Sequence, residues 1–411
     1  VTGYGGLRLF ANMGDGTFQE GAAGAGLVDA AWSTGAAWGD VNGDGALDLF
    51  VVHYLDWSFD NNPECPDPVG HVRDVCPPAY FGGLVDALWL SNGDGTFRDA
   101  SVDSGITERG KGLAVLMADL DLDNDLDVYV ANDTTANILY RNLGDGRFEE
   151  VGLASGAALS DTGKPDGSMG VDLLDYNRDG LPDLWVANFE NQSFALYRNL
   201  GDCQFQHASK AWGITAVGDV YVGFGTVAFD ADRDGWEDLF AATGHIRLAP
   251  GLEKQRQLPL LFRNTGKTFA NVASSAGEYF TSKHIGRGAA VGDIDRDGDL
   301  DLAIAHTNEP IAVLSNESRE RGGWLEVRLV GTSSTRDPVG ARVILTTDAG
   351  VQTRQLCGGA SYLSSNDPRL HFGLGEAREI PRLEIHWPSG LVQTLSNVPV
   401  NQRLTVIESR P

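Results

Sequence analysis

The sequence predicts an all-β chain built from a repeated four-stranded unit, and three observations carry that expectation. A nine-residue aspartate pattern, D-x-(D/N)-x-D-(G/N)-x-x-D, recurs five times along the 411 residues. Each copy is followed by a short apolar run rich in β-formers, such as Leu49-Phe50-Val51-Val52, Val128-Tyr129-Val130-Ala131 or Leu184-Trp185-Val186-Ala187. Further on, an apolar run ending in a polar residue meets a Gly-Asp-Gly turn and a new strand, as at Gly144-Asp145-Gly146 before Phe148. Asp-Gly between two apolar runs is a strong hairpin signal.

The aspartate patterns start at Asp40, Asp119, Asp175, Asp230 and Asp293. A repeat of about 55 residues with four antiparallel strands has the size of a propeller blade. A lone four-stranded sheet of this kind cannot bury both apolar faces, so the units must stack around an axis. The fold class expected is therefore a β-propeller of four-stranded blades, with seven blades favoured over six, followed by a small C-terminal β domain. Residues 5 to 20 supply only the outer hairpin of an earlier blade. After Asn316 the aspartate loops stop, and β-like runs continue from Trp324. The expected division is residues 1–318 for the propeller, with its first blade incomplete, and 319–411 for the second domain, with the boundary in the charged segment Glu317 to Arg321.

Composition excludes some partners. The chain has 57 acids against 31 bases and a formal net charge of −26. Nucleic acid requires a basic footprint, and a bare anionic membrane surface requires the same. No apolar run is long enough to span a bilayer. The chain begins at Val1, which reads as a mature product or a fragment. Of four cysteines, Cys65 and Cys76 lie close together in a Pro-rich stretch, and a disulfide between them is expected; Cys203 and Cys357 either pair or stay free.

The aspartate loops carry the clearest chemistry. A hard dication takes six to eight oxygens at short range, and oxygen-only donors argue against zinc and copper. Side chains at positions 1, 3, 5 and 9 converge when the loop curls, position 7 offers its backbone carbonyl, and position 6 makes the sharp turn. The expected calcium ligands are Asp40, Asn42, Asp44, Ala46 and Asp48 in loop 1, and Asp119, Asp121, Asp123, Asp125 and Asp127 in loop 2. Loop 3 offers Asp175, Asn177, Asp179, Leu181 and Asp183, and loop 4 offers Asp230, Asp232, Asp234, Trp236 and Asp238. Loop 5 offers Asp293, Asp295, Asp297, Asp299 and Asp301. About five structural Ca²⁺ ions are expected on this pattern. Loop 2 departs from it at Asn124, which tolerates the left-handed backbone that glycine adopts elsewhere. The residue EF-hands need at position 12 is missing, and strands flank these loops.

The blades resemble the FG-GAP and VCBS repeats of integrin α-subunit heads and many bacterial surface proteins. The stretch Gly358 to Gly375 (G-G-A-S-Y-L-S-S-N-D-P-R-L-H-F-G-L-G), with Ile385 to Gly390 and Asn401 to Leu404, resembles the ASPIC/UnbV domain that follows such repeats in the cartilage acidic protein family. The resemblance implies a secreted, cell-surface or periplasmic protein with calcium in its blades, and little about activity.

Strand order puts the metal loops and the Gly-Asp-Gly turns on one face and the strand 2–3 loops on the other. Two of the latter are long, His53 to Gly83 and Gly244 to Gln257. Long loops on a rigid scaffold commonly carry binding. His53, Asn132, Asn188, Thr243 and His306 end the second strands and form a candidate ring on that face, against the plainer reading of ordinary strand-end polarity. No H-E-x-x-H, G-x-S-x-G or P-loop motif is present. The expected function is a non-enzymatic adhesion, binding or assembly module taking a protein or glycan on the non-metal face, with room for oligomeric assembly. The alternative is an enzyme, or an accessory subunit of one, with its site at the channel mouth. Convergence of His53, His306 and acidic neighbours would favour the enzyme; exposed Trp57, Phe59, Tyr80 and Phe81 would favour adhesion.

Overall fold

The computed structural model describes residues 1–66, 73–246, 255–318 and 322–410. Within them the aspartate repeat forms five antiparallel blades. Blade 1 comprises Ser33–Gly39, Asp48–His53, Ala87–Ser91 and Phe97–Asp99. Blade 2 comprises Gly112–Ala118, Asp127–Asn132, Ile138–Asn142 and Phe148–Glu150. Blade 3 comprises Ser168–Leu174, Asp183–Asn188, Ala195–Asn199 and Phe205–His207. Blade 4 comprises Gly223–Phe229, Asp238–Thr243, Leu260–Asn264 and Phe269–Asn271. Blade 5 has three strands, Gly286–Gly292, Asp301–His306 and Ala312–Leu314. An N-terminal hairpin, Phe10–Asn12 with Phe18–Glu20, precedes blade 1. No complete sixth or seventh blade forms among the described residues.

The second strands explain why the blades stack. In blades 1 to 4 every residue of that strand is buried, because a neighbour covers each face. A strand covered on both sides reads as a continuous apolar run. In blade 5 the same strand loses burial at Ala303 and Ala305, where no blade follows. Separate apolar clusters fill each gap between blades: Phe50, Val52, Met117 and Val130 between blades 1 and 2, for example, and Phe229, Phe240, Ala289 and Ile304 between blades 4 and 5.

From Gly323 the chain forms two further sheets. Gly323–Val330 lies between Leu370–Gly375 and Gln402–Ile407, the latter parallel to it. Arg342–Thr347, Gly350–Gln355, Glu379–His386 and Val392–Pro399 make the other. Leu325, Phe372, Leu383 and Trp387 pack between them in a core of their own. The expected boundary segment Glu317 to Arg321 falls partly outside the described residues, as do parts of the long loops His53 to Gly83 and Gly244 to Gln257.

The segment between these sheets does more than connect them. Residues 356–369 enter the centre of the propeller and touch all five blades. Gly358–Gly359 adds a fifth strand to blade 2, paired with Met117 and Leu116. Ala360 donates to the Val115 carbonyl (3.0 Å), and Ser361 donates from its N–H to Val171 (2.6 Å). The Ser361 hydroxyl donates to the Ala289 carbonyl (2.7 Å), and Asp367 N–H to Val291 (3.0 Å). A Cβ on Gly358 would lie 2.3 Å from the Trp38 carbonyl oxygen, and one on Gly359 2.2 Å from that of Val115. Only glycine allows that approach. The plug was invisible as such in the sequence, although its residues form the most specific part of the C-terminal motif.

Candidate metal centres and the opposite face

The five loops adopt one conformation. In each, the position-1 aspartate accepts the N–H of position 6: Gly45 (2.8 Å), Asn124 (3.1 Å), Gly180 (3.0 Å), Gly235 (2.7 Å) and Gly298 (2.9 Å). The position-5 aspartate accepts the N–H of position 7 at Ala46, Asp125, Leu181, Trp236 and Asp299. Position 6 is left-handed throughout, including Asn124 at φ 77°. Position 4 is left-handed as well, and there Leu122, Arg178, Arg233 and Arg296 carry that strain without being glycine. Such strain persists only where the surroundings enforce it.

In three of the five loops the carboxylates converge. Oxygens of Asp119, Asp121 and Asp123, of Asp230, Asp232 and Asp234, and of Asp293, Asp295 and Asp297 lie within 4.8 Å of one another. In loops 1 and 3 position 3 is asparagine, and the Asn42 and Asn177 amides donate to Asp44 (3.0 Å) and Asp179 (2.9 Å). Those two loops hold three acids each, against five in each of the other three. Burial, followed by neighbouring carboxylates, pushes Asp48 up to about 6 and Asp119, Asp175 and Asp230 up to about 7. Asp127, Asp183 and Asp238 at position 9 are pushed well above the usual range, by burial first. Buried oxygens Asp121 Oδ1, Asp175 Oδ1, Asp183 Oδ2 and Asp230 Oδ1 have no hydrogen-bond partner. Several anionic oxygens crowded together, some buried without a donor, are a donor set that fits a hard cation.

The position-9 aspartate has a further role that the repeat spacing did not reveal. Asp127, Asp183, Asp238 and Asp301 accept the backbone N–H of an asparagine at or just past the end of the third strand: Asn142, Asn199, Asn264 and Asn316 (2.7–2.9 Å). Each of these asparagines then donates its side-chain amide to the position-2 carbonyl of the preceding blade's loop. The acceptors are Val41 (2.8 Å), Leu120 (2.7 Å), Tyr176 (2.9 Å) and Ala231 (2.8 Å). Every metal loop from 1 to 4 is thus stapled to the next blade. The signal was present as the recurring Arg-Asn that ends Tyr140-Arg141-Asn142, Tyr197-Arg198-Asn199 and Phe262-Arg263-Asn264. In blade 1 Ser91 occupies that position and donates only its N–H to Asp48 (2.8 Å).

On the opposite face the candidate ring is not presented to solvent. His53, Asn132, Asn188 and Thr243 are buried. His53 contacts the Val85 carbonyl (2.6 Å) and Asp29 (3.0 Å). Asn132 donates to Ala136 O, Asn188 to Ser193 O and Asp166, and Thr243 to Leu258 O. These side chains fasten the strand ends, which is the plainer of the two readings. His306, half-buried, meets Tyr279 (2.9 Å) and the Pro310 carbonyl (2.7 Å) rather than His53. The Cys65–Cys76 disulfide forms, with Cα atoms 5.2 Å apart, while Cys203 and Cys357 stay free. Beside it lies a cluster of five aromatic rings that sequence reasoning found only in part. Trp57 and Phe59 pack with Tyr4, Trp32 and Tyr54 at centroid distances of 5.1–6.0 Å. Phe59 is 78% exposed and Tyr80 64%, whereas Phe81 is buried. The sequence holds three Asn-x-Ser/Thr triplets, at Asn132, Asn191 and Asn316; Asn132 and Asn316 spend their amides on backbone carbonyls, and Asn191 is exposed.

Blades with stapled aspartate loops and a plugged centre define the class: a repeat propeller with oxygen-rich aspartate loops and an inserted β unit. The family comparisons agree with this. The FG-GAP-like repeat model matches residues 1–51, 119–186 and 175–241, and the ASPIC and UnbV model matches 331–411. The chain therefore carries FG-GAP-like repeats followed by an ASPIC/UnbV domain. It is similar to cartilage acidic protein 1 of Homo sapiens, 28% identical over 377 residues, covering 90% of this chain and 52% of the relative. The Mus musculus protein of that name is 28% identical over 358 residues, covering 85% and 51%. The chain thus spans about half the length of the curated relatives it matches. Among solved structures, an Agrocybe aegerita lectin described as recognising non-reducing terminal N-acetylglucosamine matches at TM-score 0.39 and 16% identity, over 77% of this chain and 76% of that one. An exotype rhamnogalacturonan lyase matches at TM-score 0.38 and 15% identity, over 89% and 65%.

Proposed function

We propose that this chain is a non-enzymatic, calcium-stabilised binding module of a secreted or surface protein, which holds calcium in its five loops and takes a protein or glycan ligand on the opposite face. The observation that carries the reading is the division of labour between faces. Loops 1 to 4 are tied into the next blade, and loops 2 to 5 are contacted by the C-terminal unit. The opposite face carries the aromatic cluster, with Tyr4 and Phe59 exposed, in and around the long blade 1 loop that also holds the Cys65–Cys76 disulfide. Aromatic side chains supply contact area at low entropic cost, and their clustering beside polar groups suits a binding surface. Support against the enzymatic alternative comes from the channel, where Tyr362 of the plug packs on Phe224 (5.1 Å) and Arg287 covers the other ring contact. The test is a protein and glycan array probed with the full chain and with Trp57→Ala. Binding lost in the variant is the expected result; binding that survives in the variant, or none at all, contradicts the assignment of this face.

A further inference from the structure

The C-terminal unit does not rest on the metal face at random; it grips the loops themselves. His371 Nε2 lies 2.9 Å from the carbonyl of Gly298, the position-6 residue of loop 5. Trp324 packs so closely there that a Cβ on Gly298 would sit 2.1 Å from its ring. Arg403 donates to Asp293 Oδ2 (2.6 Å), the position-1 carboxylate of the same loop. In loop 4, Gly375 N–H donates to the Arg233 carbonyl (2.8 Å). Between loops 3 and 4, Arg354 pairs with Glu237 (3.1 Å), which in turn accepts the N–H of Asp175 (2.9 Å). The loops are also joined to one another: Arg178 of loop 3 donates to the Asp234 carbonyl (3.3 Å), and Arg233 of loop 4 to that of Asp297 (3.1 Å). Asp175, Asp230, Glu237 and Arg354 open onto one crevice of about 850 Å³ beside the plug. Loop 1, by contrast, bonds within itself and to Asn142 of blade 2.

We infer that calcium occupancy of loops 3, 4 and 5 and docking of the C-terminal unit are one linked equilibrium, in which the ions hold the loop groups that the unit grips and the docked unit raises the ions' affinity in return. The inference rests on the calcium reading above. Two effects oppose each other, and charge decides between them. The arginines supply counter-charge that an ion would make redundant, which favours docking without metal. Yet loops 4 and 5 each hold five acids and one arginine, so one dication leaves each at a formal −2 and still attractive to a further guanidinium. The second effect is geometric. Without an ion, carboxylates within 4.8 Å repel, the curl relaxes, and the Gly298 and Arg233 carbonyls lose the positions that His371 and Gly375 need. Geometry wins because the His371 and Gly375 contacts end on backbone carbonyls placed by the curl, and the carboxylates that Arg403 and Arg354 grip are positioned by the same loops. Linkage then requires the effect to be reciprocal.

The experiment is amide hydrogen exchange on the full chain in saturating calcium and in chelator, read at residues 356–367, with bound calcium measured by emission spectroscopy on the same samples. Chelation is expected to lower protection of the plug roughly 5- to 150-fold, the range of ordinary coupling. Asp44→Asn in loop 1 is expected to leave plug protection unchanged, and Arg403→Gln to weaken calcium binding measured by calorimetry with the fold intact. Calcium removed with plug protection unchanged overturns the linkage alone, as does an unaltered calcium affinity in Arg403→Gln or a loss in Asp44→Asn as large as that in chelator. No calcium bound even at saturation overturns the calcium reading and the linkage together.

Discussion

The two faces of the propeller are held together by different means. On the metal face, order comes from carboxylates, left-handed loop residues and asparagine amides that cross from blade to blade. On the opposite face it comes from a covalent loop closure, packed aromatic rings and strand-end side chains that bond locally. The first arrangement repeats with the blades and tolerates little variation. The strand-end bonds of the second recur in blades 2 to 4, but the disulfide and the ring cluster occur in blade 1, where a loop of about thirty residues replaces the short crossover of blade 2. Repetition marks the part that builds the scaffold, and irregularity marks the part free to acquire a partner.

Perturbations that act on one face only should separate them. Cys65→Ala with Cys76→Ala is expected to cost about 2–4 kcal/mol, in the chain-entropy picture of loop closure, and to expose the opposite face to protease near residues 53–83. Denaturant unfolding and limited proteolysis check it; calcium content should not change. Asn199→Ala removes the donor shared by the Leu120 and Pro182 carbonyls (2.7 and 2.9 Å) and should cost about 1–3 kcal/mol by leaving buried acceptors unmet. Asn199→Ser, imitating Ser91 of blade 1, should lose comparably, because blade 3 has a metal loop behind it to staple.

Acidity should act on the metal face with opposite sign in the two metal states. In chelator, Asp119, Asp175 and Asp230 titrate near 7 in the folded chain, above their unfolded values, so the folded state binds more protons between those limits. Metal-free stability should therefore rise as pH falls from 8 to 6, by up to about 1.4 kcal/mol per pH unit for each proton taken up. With calcium bound, protons compete with the ion, and stability should fall over the same range. Melting curves at several pH values, with and without chelator, check the reversal. The smallest effect on stability is expected from Trp57→Ala, about 1 kcal/mol, since the ring is half-exposed but packs on Tyr4, Trp32 and Phe59. Its effect should appear in binding.

Much of this was legible in the sequence because the loops obey a local rule. Positions 1, 5, 6 and 9 are fixed by short-range geometry, so their spacing alone located all five loops and the tolerance of Asn124. The disulfide was legible for the same reason. The asparagine staples were not, because their acceptors lie 79 to 101 residues away. The ring of His53, Asn132, Asn188 and Thr243 failed as an exposed surface because strand-end position does not reveal burial; the crossover carbonyls that absorb these side chains belong to other segments. The plug was hidden by its conformation. Residues 356–369 bond to strands from several blades, and Ala360, Ser361 and Leu363 take left-handed backbone that no propensity would assign.

The most direct measurement is calorimetric melting of the full chain in saturating calcium and after chelation, with bound metal counted in both samples. About five calcium ions per chain are expected before chelation and none after. Each site at a hundredfold excess over its dissociation constant stabilises the fold by roughly 2.7 kcal/mol. At roughly 1 °C per kcal/mol for a cooperative chain of this size, the melting temperature should fall by about 10–15 °C when all five sites are emptied together. An unchanged melting temperature in a sample shown to have lost its calcium would contradict the structural role of the loops.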